Sequence, residues 1–412
     1  MSINWFDKRG SLTSIKDIPF EVKEILILKS HENVLRGLHQ SPYEKRIIVL
    51  KGKIYDFSID PNTFEKKEVI LNTGDYVDIP QGWAHGFYSY EESEILYLLE
   101  NKFNEDLDKN IYWNDYSLKL QLNFPKEDLI ISEKDKNSSY YNKYDYYVLG
   151  AKGFLGSHCV NILKSQGYTV FESNERFENM NIIREQIIKS RAKYVICSAG
   201  ISGKPTIDWC ETHEKETYDV NYLGVLDLIR MTQKLNIHCT IFGSGLIYSG
   251  NKDNYTEDDI PDYYSKVYSK WRIELEKQIL LYNNVLYLRI IYPVTLDGNP
   301  KCFLTKIVGR ANNIHNVNVS LTIIPDLFKQ ISILSINNIT GIFNFVNKGS
   351  INLVDLLSLY SNTLNRIVIN VDNNNTNKRG AYKLDTTKIE HYINVSNVNT
   401  TIKLYLNNKN NN

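Results

Sequence analysis

Cysteine is scarce: the 412 residues hold five, Cys159, Cys197, Cys210, Cys239 and Cys302, and none lies in the first 150 positions. An odd number of scattered thiols fits neither a disulfide framework nor the paired spacing of a metal site, so reduced thiols in a reducing, cytoplasmic compartment are expected. An excess of either charge is missing too, because 48 basic and 48 acidic side chains cancel to a formal charge of zero. That balance lacks the electrostatic footprint that nucleic acid or an anionic membrane would demand, and leaves small-molecule chemistry as the better class. No stretch reaches the roughly 18 uncharged apolar residues of a membrane span. The opening MSINWFDKRG has no apolar core of a leader, so a soluble, untargeted protein is expected.

What is present comes in two textures. The length exceeds one ordinary core and suits two domains of roughly 140 and 260 residues. Short β-rich runs, Ile25–Leu28, Arg46–Leu50, Ile54–Ile59, Val69–Leu71, Tyr76–Ile79 and Ile95–Leu99, alternate with turns such as Lys51-Gly52-Lys53. Regular short strands of this kind predict an all-β antiparallel sandwich or jelly roll. After a polar stretch the chain alternates strand and helix: Tyr146–Leu149, Phe154–Ser165, Thr169–Glu172, Tyr194–Cys197, Val220–Lys234, Thr240–Phe242 and Leu286–Ile290. That alternation predicts an α/β doubly wound parallel sheet. The expected division is a β domain over 1–135, a linker over 136–145, the α/β domain over 146–405 and an Asn-rich tail over 406–412. The nearly pure Asn tracts Asp372–Asn377 and Asn407–Asn412 read as loop or disordered tail.

Four pieces of the first domain carry chemistry: Leu35-Arg36-Gly37-Leu38-His39, Lys45, Ile79-Pro80-Gln81-Gly82-Trp83-Ala84-His85-Gly86-Phe87, and Trp113-Asn114-Asp115 with Ser132-Glu133-Lys134-Asp135. As an ordered set they resemble the cupin family of dTDP-4-dehydrorhamnose 3,5-epimerases over about residues 5 to 135. The chemistry suits these residue types, since removing a proton beside a ketone needs a base near neutral pKa, which a His held by a carboxylate supplies. The resemblance implies that His39 is the base, Asp135 its partner and Lys45 the stabiliser of the enolate oxygen. It also implies that Arg9 and Arg36 hold the diphosphate, to which guanidinium groups pair bidentately. A metal cupin is not expected, because the domain offers only His31, His39 and His85. The family's opposite-face acid is a Tyr, and the matching position here is Phe103. Epimerisation at C3 alone is therefore expected, with Tyr97 the residue that would rescue a double reaction. Asp17-Ile18-Pro19-Phe20-Glu21 is similar to sugar 3,4-ketoisomerases, but their second His falls on Ser41.

Directly after the strand at Tyr146–Leu149 comes Gly150-Ala151-Lys152-Gly153-Phe154-Leu155-Gly156, a G-x-x-G-x-x-G turn opening a helix. Its glycines permit a tight turn and close approach to a pyrophosphate at the helix N-terminus. The spacing points to short-chain dehydrogenases, with Ala199, Gly200, Asn221 and Pro293 completing the cofactor positions. Ala199 to Pro205, Asp208 to Glu211, Phe303 to Ile307 and Leu384 to Lys388 resemble the plant nucleotide-rhamnose synthase epimerase/reductases and, more distantly, dTDP-4-dehydrorhamnose reductases. The resemblance implies Ser244 and Tyr268 as the catalytic hydroxyls and Lys204 and Lys306 as substrate contacts. The family's Tyr-x-x-x-Lys ends here in Arg272, which keeps the positive charge but cannot give up its proton. Glu172 suits a ribose 2'-hydroxyl and Arg176 a 2'-phosphate, and the reading leans to NADPH, with NADH the alternative.

Joined, the two domains read as a 3-epimerase and 4-reductase of a UDP-4-keto-6-deoxy sugar, expected to be the 2-acetamido sugar on a route to UDP-L-rhamnosamine. The alternatives are a 3,5-epimerase/4-reductase making UDP- or dTDP-L-rhamnose, and a sugar-nucleotide-binding scaffold without turnover. The cupin resemblance implies a homodimer with exchanged strands.

Overall fold

The computed structural model describes residues 3–8, 10–115, 118–141, 143–203, 206–295, 297–308, 314–364, 371–372 and 380–410. Arg9, Lys204 and most of the first Asn-rich tract lie outside them. The chain divides into two compact units, Met1–Lys143 with Ile188–Arg191, and Tyr144–Ile187 with Ala192–Asn412. No helix among the described residues is long and apolar enough to cross a membrane.

The first unit begins with a separate antiparallel hairpin, β1 (Ile3–Asp7) and β2 (Gly10–Ser14). Then follow β3 (Glu24–Ser30), β4 (Val34–Gln40), β5 (Lys45–Lys51), β6 (Lys53–Ile59) and β7 (Lys66–Asn72). The set is completed by β8 (Tyr76–Ile79), β9 (Ala84–Ser89), β10 (Ser93–Leu99), β11 (Lys109–Ile111) and β12 (Ile130–Ile131). One sheet runs β3-β10-β5-β8 and the other β11-β4-β9-β6-β7, with β12 beside β4. Period-two alternation decides what faces where. Ile47, Val49, Ile54, Val77, Phe87 and Ile95 form one apolar cluster. On the opposite face of β4, β6 and β9, Leu35, Leu38, Tyr55, Phe57, Ala84 and Tyr88 pack under Trp113, Leu118, Leu122 and Phe124. The expected β sandwich is thus present, with the apolar side chains of the segment after β11 covering one sheet.

The stretch expected to be a linker is partly built into this unit. Ser132 caps the single-turn helix α1 (Glu133–Lys136) by accepting the Asp135 N–H at 3.1 Å, and Tyr140 is 2% exposed.

In the second unit β13 (Tyr146–Leu149), β14 (Val170–Ser173), β15 (Tyr194–Cys197), β16 (His238–Ser244), β18 (Val285–Ile290) and the strand Gly341–Asn344 make a six-stranded sheet. Short strands β17 (Asn254–Tyr255) and β19 (Pro293–Val294) lie outside it. The order β14-β13-β15-β16-β18 is parallel throughout, the doubly wound arrangement expected. Its strands are buried on both faces, which is why Tyr-Tyr-Val-Leu at β13 is apolar without alternation. Helices α2 (Phe154–Ser165), α3 (Met180–Ser190), α4 (Glu214–Tyr218), α5 (Gly224–Lys234), α6 (Val267–Ile279) and α7 (Phe303–Val308) flank or follow it. A π turn over Asp219–Leu223 joins α4 to α5, so the helix expected at Val220 starts at Glu214 instead. The last helix, Val398–Asn410, corrects the expectation of a loose tail from 406, because Leu406 is buried against Val398 and Ile402. All five cysteines are buried free thiols.

Candidate active sites

The first site depends on a fault in β4. Between Arg36 and His39 the pairing with β9 slips, so that three residues on β4 span the two from Phe87 to His85. Without the slip, residues three apart would face opposite sides of the sheet; the bulge turns both Arg36 and His39 to the face shared by His85 and Phe87. Gly37 sits in the bulge because Asp135 crosses there: a Cβ on it would lie 3.0 Å from the Asp135 carboxyl carbon. Its N–H donates to Asp135 Oδ2 at 3.1 Å, while Asp135 Oδ1 lies 2.8 Å from His39 Nε2. Burial would raise the Asp135 carboxyl, but the hydrogen bond and charge of His39, with Gly37 N–H, hold it below its ordinary value. Asp135 therefore stays ionised and keeps the proton on Nε2, leaving Nδ1 of His39 to accept another.

Lys45 opens β5 and is 7% exposed, with Nζ 3.2 Å from Ser41 Oγ. Burial draws its ammonium down to about 8, against the pull of Asp108 and Asp56. Beside it lies a second histidine–carboxylate pair, His85 Nε2 to Asp56 Oδ2 at 2.7 Å, with side chains 4% and 0% exposed. Burial lowers the His85 imidazole, and Asp56 opposes that shift. Tyr97 joins this interior, its phenol held well above the usual range by burial and by Asp56. Phe103 does not: half its surface (51%) is exposed, and its N–H is held by Glu24. Arg36 donates to Lys29 O at 3.5 Å, and its Nε is buried with no hydrogen-bond partner among the described residues.

In the second unit Gly150 takes φ +78°, and a Cβ there would lie 2.8 Å from the Ala199 nitrogen. Gly156 is held closer still, since a Cβ would meet Gly150 O at 2.1 Å. Gly153 caps α2 without any side-chain bond, so the first amides of the helix, at Phe154 and Leu155, remain for an anion. This cradle fits a dinucleotide pyrophosphate. Asn174 Oδ1 accepts Lys152 N–H at 2.8 Å, fixing the loop beside exposed Arg176, whereas Glu172 is engaged by Lys164.

The π turn supplies the next element. Asn221 in it accepts Ile201 N–H at 2.9 Å and donates to Ile201 O at 2.8 Å, clamping the segment after Ala199 and Gly200. Arg272 reaches the same Asn221 Oδ1 at 3.4 Å and Phe242 O at 3.4 Å. Its guanidinium carbon lies 5.4 Å from the Tyr268 ring centroid, with Tyr268 8% and Arg272 5% exposed. Burial alone would lower Arg272, but the neighbouring Tyr268 and Tyr287 hydroxyls keep it charged. Arg272 Nε is buried without a partner among the described residues, a donor suited to a ribose hydroxyl. Ser244 ends β16 and accepts Leu246 N–H at 3.1 Å. Pro293 opens β19, which pairs with Thr322–Ile323, and Lys306 is exposed on α7.

Sequence reading found no signal for Asp56 and left His85 evenly balanced between packing and function; a buried Asp on β6 meets a buried His on β9 only because the two strands pair in the sheet. It also passed over Tyr43, which is 3% exposed beside Ser41.

A carboxylate-held base next to a buried ammonium, on a chain that also builds a pyrophosphate cradle beside a tyrosine–arginine pair, defines a sugar-nucleotide epimerase joined to a nicotinamide-dependent reductase. Residues 3–143 match the dTDP-4-dehydrorhamnose 3,5-epimerase family, and residues 146–294 match the NAD dependent epimerase/dehydratase family. The bifunctional dTDP-4-dehydrorhamnose 3,5-epimerase/dTDP-4-dehydrorhamnose reductase of Arabidopsis thaliana is 28% identical over 234 residues, 55% of this chain and 77% of its own. The dTDP-4-dehydrorhamnose 3,5-epimerase of Shigella flexneri is 30% identical over 132 residues, 29% of this chain and 72% of its own. The crystal structure of the UDP-rhamnose synthase of Acanthamoeba polyphaga mimivirus matches with a TM-score of 0.59 at 27% identity, covering 64% of this chain and 99% of that one. The chain spans 36%, 36% and 33% of the length of three trifunctional Arabidopsis thaliana relatives that add a 4,6-dehydratase. The protein thus belongs to the dTDP-4-dehydrorhamnose 3,5-epimerase family in its first unit and to the NAD dependent epimerase/dehydratase family in its second, a bifunctional nucleotide-sugar epimerase/reductase.

Proposed function

We propose that the chain converts UDP-4-keto-6-deoxyglucose to UDP-L-rhamnose, inverting C3 and C5 in the first unit and reducing C4 in the second. The observation that carries this reading is the His39–Asp135 pair, 2.8 Å apart, facing the same interior as Lys45. In this reading His39 Nδ1 removes the proton beside the ketone, the Lys45 ammonium neutralises the enolate oxygen, and Arg36 and Arg9 hold the diphosphate. In the second unit Tyr268 donates a proton to the C4 oxygen, Ser244 orients that oxygen, and Arg272 sets its positive charge beside the phenol ring. Gly150, Gly153, Phe154, Leu155 and Gly156 hold the pyrophosphate, Ala199, Gly200, Asn221 and Pro293 line the nicotinamide side, and Lys204 and Lys306 contact the sugar nucleotide. The dinucleotide, when bound, supplies the hydride; Arg176 beside the Lys152 loop favours NADPH, since Glu172 is occupied by Lys164.

The acetamido sugar is a second reading, resting on Phe103. Its support weakens because that ring stands half exposed while Tyr97 packs against the interior cluster. The assembly we assign is a homodimer through the first unit: among the described residues β1 and β2 pair only with each other, and edge strand β3 exposes Ile25 and Ile27 at 61% and 64%. Sedimentation at micromolar concentration checks this, and a monomer would refute it.

The test of function follows NADPH absorbance with freshly made UDP-4-keto-6-deoxyglucose, its dTDP counterpart and the C5-inverted UDP-2-acetamido sugar, identifying products by NMR. Oxidation with the UDP-glucose-derived sugar and an L-rhamnose product is expected. Turnover confined to the acetamido sugar would move the protein to the rhamnosamine route, and binding without turnover of any would leave the scaffold reading.

A further inference from the structure

Taking the proton from C3 needs more than a base, because the ring must be held so that C3, and not another carbon, faces that base. We propose that Asn110 does this, its side-chain oxygen accepting a hydrogen bond from the C2 hydroxyl of the sugar while His39 works at C3. The inference rests on the epimerase reading above.

Strand pairing sets Asn110 beside the base. β11 runs antiparallel to β4 with Asn110 opposite His39 and Ile111 opposite Leu38, without a slip in register. Ile111 and Leu38 both belong to the cluster that includes Trp113. Alternation therefore turns Asn110 and His39 to the other face, the one shared by His85, which stands opposite His39 on β9. Residues directly opposed across an antiparallel pair have Cβ atoms about 4.5–5.5 Å apart, a spacing that suits a ring carbon at one side chain and the hydroxyl of its neighbour at the other.

The Asn110 side-chain oxygen is closed to water yet has no hydrogen-bond partner among the described residues. The same holds for one carboxylate oxygen of Asp108, two residues back in extended backbone and so on the same side. Buried acceptors left unpaired are costly, and this corner offers oxygens while lacking a donor. His39 cannot supply one, since its Nε2 proton is spent on Asp135 and Nδ1 accepts. A sugar hydroxyl can. Asn110 as a whole is partly exposed, and the soft torsion of its amide lets the oxygen turn to such a donor. Of the hydroxyls near the reacting carbon, the one on C3 itself swings across the ring plane as that carbon inverts, so a fixed acceptor cannot hold it before and after. The C2 hydroxyl keeps its configuration throughout. C5 lies across the ring from C2, flanked by the ring oxygen and a methyl group, neither of which donates. Asn110 thus serves the step at C3 and leaves the step at C5 unaided.

The experiment uses the full chain in deuterium oxide without NADPH, at subsaturating UDP-4-keto-6-deoxyglucose or its 2-deoxy counterpart, reading deuterium entry at C3 and at C5 separately by NMR. With the 2-hydroxy sugar, Asn110→Ala is expected to slow entry at C3 by about tenfold, the worth of one hydrogen bond, and entry at C5 by less than about twofold. With the 2-deoxy sugar, the wild-type chain is expected to have lost that factor already and the variant to match it within about twofold. Equal slowing with both sugars, or at both carbons, would reveal a merely structural part and overturn the assignment, as would an unchanged C3 rate in the variant. Asn110→Leu, which keeps the shape and removes the acceptor, decides by the same comparison should the alanine variant fail to fold. Absence of exchange at both carbons in the wild-type chain would overturn the epimerase reading itself, whereas wild-type exchange confined to C5 overturns the part given to Asn110 alone.

Discussion

Lys45 shows how burial tunes one residue toward two opposed ends. Its ammonium titrates near 8, with burial lowering it and Asp108 and Asp56 raising it. The group is charged below about 8, so deuterium exchange by the first unit is expected to fall as pH rises through that value. Stability should move the other way. The unfolded chain holds this proton up to about 10.5, hence binds more protons between the two values, and folding gains as pH rises across that window. A pH–rate profile against a urea-melt profile checks the pair, and Lys45→Met should flatten both limbs. Arg272 is the corresponding residue of the second unit. Arg272→Met should cut NADPH oxidation by about 100-fold, while Arg272→Lys, which keeps the charge, should remain within about tenfold of wild type. Equal loss in both variants, measured at saturating NADPH, would mean that the fork of hydrogen bonds to Asn221 and Phe242 matters more than the charge.

At the scale of elements, the departures from regular geometry coincide with the sites. The expected strands included β5, β6, β8 and β10 but not β4 or β9, the two that carry His39 and His85. Arg36, Gly37 and His39 break the apolar alternation by which strands are recognised, because they face a polar interior across a bulge. The helix expected from Val220 likewise hides its π turn, since the periodicity of the flanking turns says nothing of the extra residue that aims Asn221 at Ile201. Helix α6 is pinned to β18 by a buried pair, Glu276 to Arg289 Nη2 at 2.7 Å, side chains 4% and 2% exposed. Arg289 also donates to the Tyr248 hydroxyl at 2.8 Å. Glu276→Ala strands that guanidinium and should destabilise the chain by about 3–5 kcal/mol in urea melts. A change under about 1 kcal/mol would mean that Tyr248 and Asn344 suffice to satisfy it.

For the molecule as a whole, the two chemistries need not share a chain. Free keto epimers interconvert, so the first unit alone reaches an equilibrium that reduction by the second drains. A His39→Asn chain and a Tyr268→Phe chain should each fail to oxidise NADPH with UDP-4-keto-6-deoxyglucose, yet oxidise it when mixed, provided the intermediate leaves the first unit. Steady-state absorbance of the reduced nicotinamide reads this directly. No recovery on mixing would require that the intermediate pass within one chain.

Composition and local pattern by themselves determined the two-part architecture, the parallel sheet, the glycine turn of the second unit and the residue types of both candidate sites. These follow from periodicity, from turn chemistry and from the narrow choice of side chains that can move a proton or cradle a phosphate. Tertiary structure alone decided that Asp56 meets His85, that Gly37 yields to Asp135, that Phe103 stands outward while Tyr97 turns inward, and that Val398–Asn410 form a helix. Each of those depends on residues far apart in sequence, or on the packing of a whole element, meeting in the folded chain. Burial sets their charges and hydrogen bonds there, and no local pattern encodes it.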